Sequence, residues 1–261
     1  MLARVRTASV KEAIEEIAKQ ARANPGGALA FDGDGTIWSG DIGEDFFDAF
    51  VKTGKLEEVA KRALAVEAEK ERLETRGSGA EIAHRIHAAY LAGTFPEERV
   101  CEIMTWACAG WKKADIDAFS HRVIEEVGLR KRLHGEAMTV IREAHAMGID
   151  VFIVSASPRT IVDAAAPIVG IDPGFTIAAT EACDASGVVK PEVLRPIPYD
   201  QGKVARLRER LGTRPLFAAF GDNAFDVPLL QEAKLAFAIR PKQRLLDRFA
   251  EVPGIAVLER I

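Results

Sequence analysis

Hydrophobic and polar positions along the chain follow two different patterns. Over residues 44–53, 55–75, 78–92, 95–109 and 113–127 the charges recur at helical spacing, and five successive helices are predicted. Thr53-Gly54, Arg76-Gly77-Ser78-Gly79 and Gly93-Thr94 provide the short turns that would join them. From about residue 134 the pattern alternates instead. A helix ending in "AHAMG" runs into "IDVFIVSAS", where Ile149, Val151, Phe152, Ile153 and Val154 suit a strand buried on both faces. Helices are then predicted over "PRTIVDAAAPIVG", "QGKVARLRERLG", "FDVPLLQEA" and "KQRLLDRFA", and strands over "PLFAAF" and "KLAFAI". "ALAF", before the helical stretch, adds one more strand, and the opening "MLARVRTASVKEAIEEIAKQ" reads as an amphipathic helix.

Alternation of this kind predicts an α/β fold: a Rossmann-like parallel sheet with helices on both sides, interrupted by an all-helical insertion. The expected division is a discontinuous core of residues 1–40 and 129–261 and a helical cap of residues 41–128, hinged near Ser39-Gly40 and Val127-Gly128. Composition narrows the function. The 35 basic and 39 acidic residues give a net charge of -4 with no basic run, so no nucleic-acid partner is expected. No apolar stretch approaches the ~20 residues of a membrane span, and the opening lacks the apolar centre of a secretory signal. Cys101, Cys108 and Cys183 are an odd count without a CxxC, which fits small buried side chains in a reducing compartment. A soluble cytoplasmic protein is expected. His84 and His87 share a helical face but have no acidic or thiol ligand beside them and are assigned no metal. Oligomeric state is not legible.

Sites in parallel sheets form beyond the carboxyl ends of the strands. Three predicted strand ends carry polar residues: Asp32-Gly33-Asp34-Gly35-Thr36, Ser155-Ala156-Ser157 and Gly221-Asp222-Asn223, with Asp226 one turn later. Asp32, Asp34 and Asp222 brought together would repel one another without a cation, and oxygen ligands favour Mg²⁺. Magnesium bound by few carboxylates suits a phosphate ester. Ser155 with the backbone N–H groups that follow, Ala156 included, can hold phosphate oxygens, and Lys203 supplies positive charge. Asp32 can attack phosphorus to form an aspartyl phosphate, and Asp34 can protonate the departing alkoxide.

"FDGDGTIW", "VFIVSAS", the Lys203 region and "FGDNAFD" resemble the four ordered motifs of the haloacid dehalogenase superfamily of phosphohydrolases. The match spans the core, about two-thirds of the chain, and the insertion resembles the cap of phosphoserine phosphatases. The resemblance implies that Asp32 is nucleophile and metal ligand. Asp34 would be general acid and base, its backbone carbonyl also on the metal. Ser155 and Lys203 would bind phosphate, Asp222 the metal, and Asp226, with Thr36, would support the site. Lys190 in "VVKPE" competes with Lys203 as the motif lysine, but Gly202-Lys203 opening a helix fits better. Dehalogenation is disfavoured because dehalogenases lack the second aspartate. Asp34 also argues against a signalling module that keeps its phosphate.

The expected partner is a small phosphorylated metabolite. Phosphoserine leads: nine residues after the nucleophile the resembling family places a glutamate toward the substrate amine, and here stands Asp41. Arg85 is the candidate counterpart of the cap arginine that grips the substrate carboxylate. Against phosphoserine, "SASPRT" has Ala156 and Ser157 where that family has two glycines. A second expectation is phosphocholine, held in an aromatic cage drawn from Trp38, Trp106, Trp111, Phe46, Phe47 and Phe50. Phosphoryl transfer to an alcohol is a further alternative.

Overall fold

The structure, a computed structural model, describes residues 6–261. The chain begins with β1 (Thr7–Ala8), α1 (Val10–Ala23) and β2 (Ala28–Phe31). Five helices follow: α2 (Ile42–Lys52), α3 (Glu58–Lys70), α4 (Gly79–Leu91), α5 (Glu97–Trp106) and α6 (Lys113–Glu126). Next come α7 (Gly135–Ala146), β3 (Asp150–Pro158), α8 (Arg159–Ala165), β4 (Thr176–Ala179), β5 (Glu181–Cys183) and β6 (Val189–Val193). The chain closes with α9 (Gln201–Leu211), β7 (Leu216–Gly221), α10 (Val227–Glu232), β8 (Leu235–Ala238), α11 (Gln243–Leu246) and β9 (Ala256–Leu258).

Seven strands pair in parallel in the order β1-β9-β8-β7-β2-β3-β4. Because side chains alternate across a strand, the central strands feed two apolar layers. Leu29, Phe31, Val151 and Ile153 pack with α1, α7 and α8, whereas Ala28, Ala30, Phe152 and Val154 pack with α9 and α10. Both faces of the sheet are thereby covered, as a parallel sheet requires.

α1 starts later than its apolar pattern suggests. Ser9 Oγ accepts the Glu12 N–H at 3.2 Å while the Glu12 carboxylate takes the Ser9 N–H at 2.7 Å, so the capping pair fixes the start at Val10. The first residues of the expected opening helix, 1–5, lie outside the described residues. α3 stops at Lys70, well before residue 75, as Arg72 turns left-handed at φ 58°.

α2 to α6 lie between β2 and α7 and build an apolar cluster of their own from Phe47, Leu64, Ile82, Ile86, Val100 and Ile103. The other face of α2, with Phe46 and Phe50, joins the cluster beneath the sheet. The antiparallel β5-β6 hairpin packs on α5 and α3. Ion pairs Arg132–Asp45 (2.5 Å), Arg195–Glu102 (2.7 Å) and Arg244–Glu97 (3.1 Å) tie the helical insertion to the sheet layers. No helix among the described residues is long and apolar enough to cross a membrane.

Candidate active site

β2 lies between β3 and β7, where successive connections turn to opposite sides of the sheet, and the loops leaving these three strands converge. Asp32 follows β2 directly, its N–H bonded to the Phe220 carbonyl at 2.9 Å. Its Oδ1 accepts from Lys203 Nζ at 2.5 Å and its Oδ2 from Thr36 Oγ1 at 3.3 Å. Lys203, wholly buried, also donates to Asp226 Oδ1 at 2.5 Å. It reaches this place because Gly202 lets the start of α9 press against the Ile197 carbonyl, which a Cβ would overlap. Gly35, at φ +83°, leaves room in the same way for the Asp222 carboxylate.

Asp34 turns elsewhere. Its Oδ1 accepts from Trp38 Nε1 and the Ile42 N–H, each at 2.7 Å. Its Oδ2 accepts from Ser157 Oγ at 2.6 Å and from Ser155 Oγ at 3.5 Å. Asp226 is spent as a clamp: Oδ2 takes the N–H groups of Asp222 (3.0 Å) and Asn223 (2.9 Å). Asp222 Oδ2 faces Lys242 Nζ at 2.9 Å, and its buried Oδ1 has no partner.

Asp32, Asp222 and Asp226 each bring a carboxylate oxygen within 4.8 Å of the others. Burial pushes the Asp32 carboxyl well above its ordinary range, and the neighbouring aspartates add to this against the pull of Lys203. Burial, then Asp226, raises Asp222 to about 6, opposed by Lys242. Lys203 is held above the usual lysine range: burial opposes its charge, but Asp226 and Asp32 overcome it. An all-oxygen donor set short of positive charge, with one buried oxygen unpaired, fits a hard divalent cation. Asp34 is absent from the carboxylate trio, so only its backbone carbonyl is left for the metal role that the motif resemblance implied.

Above these loops is a cavity of about 440 Å³ lined by Asp32, Asp34, Ser155, Ala156 and Ser157. Asp41, Glu44, Tyr90, Met104, Tyr199 and Phe225 line it as well. Asp41 caps α2 by accepting the Glu44 N–H at 2.8 Å, and burial, then the Asp34 charge, raises its carboxyl well above the usual range. Ala156 lies on β3, which runs on to Pro158, so the backbone expected to hold phosphate belongs to a strand end and not to the first turn of α8.

Two expectations about specificity are corrected. Arg85 does not line the cavity. It donates to the carbonyls of Glu74 (3.2 Å) and Arg76 (2.6 Å) and pins the loop before α4. Trp38 is fully buried and holds Asp34, so it positions a carboxylate and lines no substrate space. The other expected cage rings also point into packing: Trp106 and Phe47 lie in the insertion's cluster, and Phe50 meets Trp111 edge-on at 5.4 Å. Lys190 is exposed on the hairpin. Missed from the sequence were Lys242, in "RPK" just beyond a strand end, and Tyr90 and Tyr199, whose convergence depends on tertiary packing. His134 was missed too: its Nδ1 donates to the Thr36 carbonyl at 3.0 Å, bracing the loop that carries Asp32 and Asp34.

Residues 29–231 match the family model of the haloacid dehalogenase-like hydrolases. The chain belongs to this family. Among curated proteins it is 26% identical over 166 residues to an "inhibition of morphological differentiation protein" of Streptomyces azureus. That match covers 62% of this chain and 58% of the relative, so the chain spans less than two-thirds of the relative's length. A crystal structure of a protein of unknown function from Bordetella pertussis Tohama I superposes with a TM-score of 0.66 at 21% identity, over 89% of this chain and 97% of that one. A phospho-aspartyl intermediate analogue of phosphoserine phosphatase superposes with a TM-score of 0.52 at 16% identity, over 90% and 94% of the two chains. At these identities the likeness is one of fold, and the fold is that of a phosphoserine phosphatase-like member of the family.

Proposed function

We propose that this hydrolase is a Mg²⁺-dependent phosphatase that cleaves a small phosphomonoester through a phospho-Asp32 intermediate. The observation that carries this is Asp32 itself: a buried carboxylate held by Lys203 at the base of a cavity, with Asp34 two residues on under separate control. Asp32 attacks phosphorus, the bond from phosphorus to the alcohol oxygen breaks, and Asp34 gives that oxygen a proton. Asp34 then removes a proton from the water that attacks phospho-Asp32, and inorganic phosphate leaves. The Ser155 and Ser157 hydroxyls can accept as readily as donate, so both protonation states of Asp34 can be matched. Asp32 and Asp222, with the Asp34 carbonyl, would hold Mg²⁺, which supplies Lewis-acid charge to the phosphate oxygens. Lys203 and Ser155 take the remaining phosphate contacts.

The rest of the cavity lining favours an amino-alcohol ester. Asp41 and Glu44 are carboxylates without a basic partner at hydrogen-bond distance, and Tyr90 and Tyr199 offer rings to an ammonium group. Phosphoserine meets this requirement with its amine, in keeping with the phosphoserine phosphatases of similar fold. A second reading, an amino-alcohol ester without a carboxylate such as phosphoethanolamine or phosphocholine, is favoured by the guanidinium groups. Arg85 is tied to a loop, and Arg244 at the cavity wall already pairs with Glu97.

The test is Mg²⁺-dependent phosphate release from phosphoserine, phosphoethanolamine, phosphocholine, glycerol phosphate and an aryl phosphate, with Asp32→Asn as control. Release that stops in the variant, with amino-alcohol esters preferred over glycerol phosphate, is expected. Release unaffected by Asp32→Asn would refute the nucleophile, and equal rates on charged and neutral esters would refute the ammonium end.

A further inference from the structure

Lys242 has no role in the chemistry just described, yet its placement is highly determined. It follows β8 and returns to the β7 loop by both main chain and side chain. Its N–H donates to the Asp222 carbonyl at 2.8 Å, and its Nζ lies 2.9 Å from Asp222 Oδ2. Two residues earlier, Arg240 is left-handed at φ 46° and donates to the fully buried Glu136 through Nε (2.8 Å) and a second nitrogen (3.3 Å). Next to that, the Ile239 N–H donates to the Gly221 carbonyl at 3.0 Å. The segment is therefore pinned at Ile239 and Arg240, just before the lysine, and at the lysine's own N–H, which is unusual for a side chain with half of its surface in solvent.

The consequence falls on Asp222. A carboxylate rotates about its Cβ–Cγ bond, and a cation site needs that rotation fixed. Asp222 Oδ2 is fixed by Lys242, and the carboxylate packs so closely on Gly35 that a Cβ there would overlap it. The other oxygen, Oδ1, is left buried and unpaired in the group that Asp222 forms with Asp32 and Asp226. An unpaired buried carboxylate oxygen is costly, so its persistence in a well-packed loop points to a ligand that completes it.

We infer that Lys242 is a positioning residue for the divalent cation: it occupies one oxygen of Asp222 so that the other is presented to the metal. This rests on the cation-dependent reading of the site. Two effects oppose each other in any variant. Removing a lysine charge near a cation favours binding, but the pair is half exposed and screened by water. Loss of a partner that orients a ligand typically weakens metal affinity by about 10–100-fold. The second effect is the larger here.

The experiment is calorimetric titration of the full chain with Mg²⁺ in the absence of any ester, comparing wild type, Lys242→Met and Lys242→Arg. Lys242→Met retains the length and apolar stem of the side chain, and circular dichroism checks its fold. Mg²⁺ affinity about 10–100-fold weaker in Lys242→Met, with most of it restored in Lys242→Arg, is expected. Equal or tighter binding by Lys242→Met would overturn the inference while leaving the phosphatase reading intact. A wild type that itself binds no Mg²⁺ would overturn both.

Discussion

Asp32 and Asp34 are two positions apart, yet their carboxylates meet opposite surroundings. Asp32 is held by an ammonium and a hydroxyl, Asp34 by an indole, a backbone N–H and two serines. In the proposed reaction that separation lets one act on phosphorus while the other moves protons. Among the described residues the Trp38 side chain makes no other hydrogen bond than the one to Asp34. Trp38→Phe keeps the ring and removes one hydrogen bond of roughly 1–2 kcal/mol to a charged acceptor, so kcat should fall about tenfold with KM little changed. Steady-state kinetics on an aryl phosphate checks this, and an unchanged kcat would remove Trp38 from the positioning of Asp34. The acidic pairs and the lysine were legible in the sequence because each has a chemical reason to stand at a strand end. The tryptophan was not: an aromatic beside a motif looks the same whether its N–H or its ring is used.

Among the elements, strand and helix lengths decided what could be read. β3 and β7 are long, apolar and buried on both faces, and their patterns stand out. β1, β5 and β9 are two or three residues each, too short for any periodicity, and are made only by pairing with neighbours. β4 and the hairpin were hidden for a related reason, since both depend on what they pack against. Elements also set the site through close approaches. Gly202 permits contact between the start of α9 and the Ile197 carbonyl, and Lys203 is the next residue. Gly202→Ala should therefore withdraw Lys203 from Asp32, destabilise the fold by about 1–3 kcal/mol and reduce kcat/KM. Urea unfolding and kinetics on one preparation test the pairing of these effects. A variant that keeps full activity would show that α9 can shift without moving the lysine.

For the whole molecule, the helical insertion and the parallel sheet share one cavity, lined by Asp32, Asp34 and Ser155 from the sheet loops and by Asp41, Glu44 and Tyr90 from the helical stretch. The sequence carries the sheet side because its chemistry is local to loops. On the other side Arg85 was not legible, because a helix pattern shows which face is polar but not which neighbour that face meets. Charge balance also acts at this scale. Without a cation, burial lifts Asp222 from 3.8 to about 6, so the native state holds a proton that the unfolded chain releases in this interval. Its contribution to stability is present below pH 3.8 and is lost as pH rises through about 6. In Mg²⁺-free buffer the unfolding temperature of wild type should thus drop across this window relative to Asp222→Asn. Mg²⁺ should stabilise the wild type more at pH 7 than at pH 5. Parallel pH profiles for the two proteins would contradict the placement of this charge.

The central claim is that phosphorus passes through Asp32. Acid quench of the wild type during turnover of an aryl phosphate, followed by borohydride reduction and peptide mass spectrometry, tests it directly, because an aspartyl phosphate is reduced to homoserine. Homoserine at position 32, absent without substrate and absent in Asp32→Asn, is the predicted result. Continued phosphate release with no reduced residue at 32, or with the label on another aspartate, would contradict it.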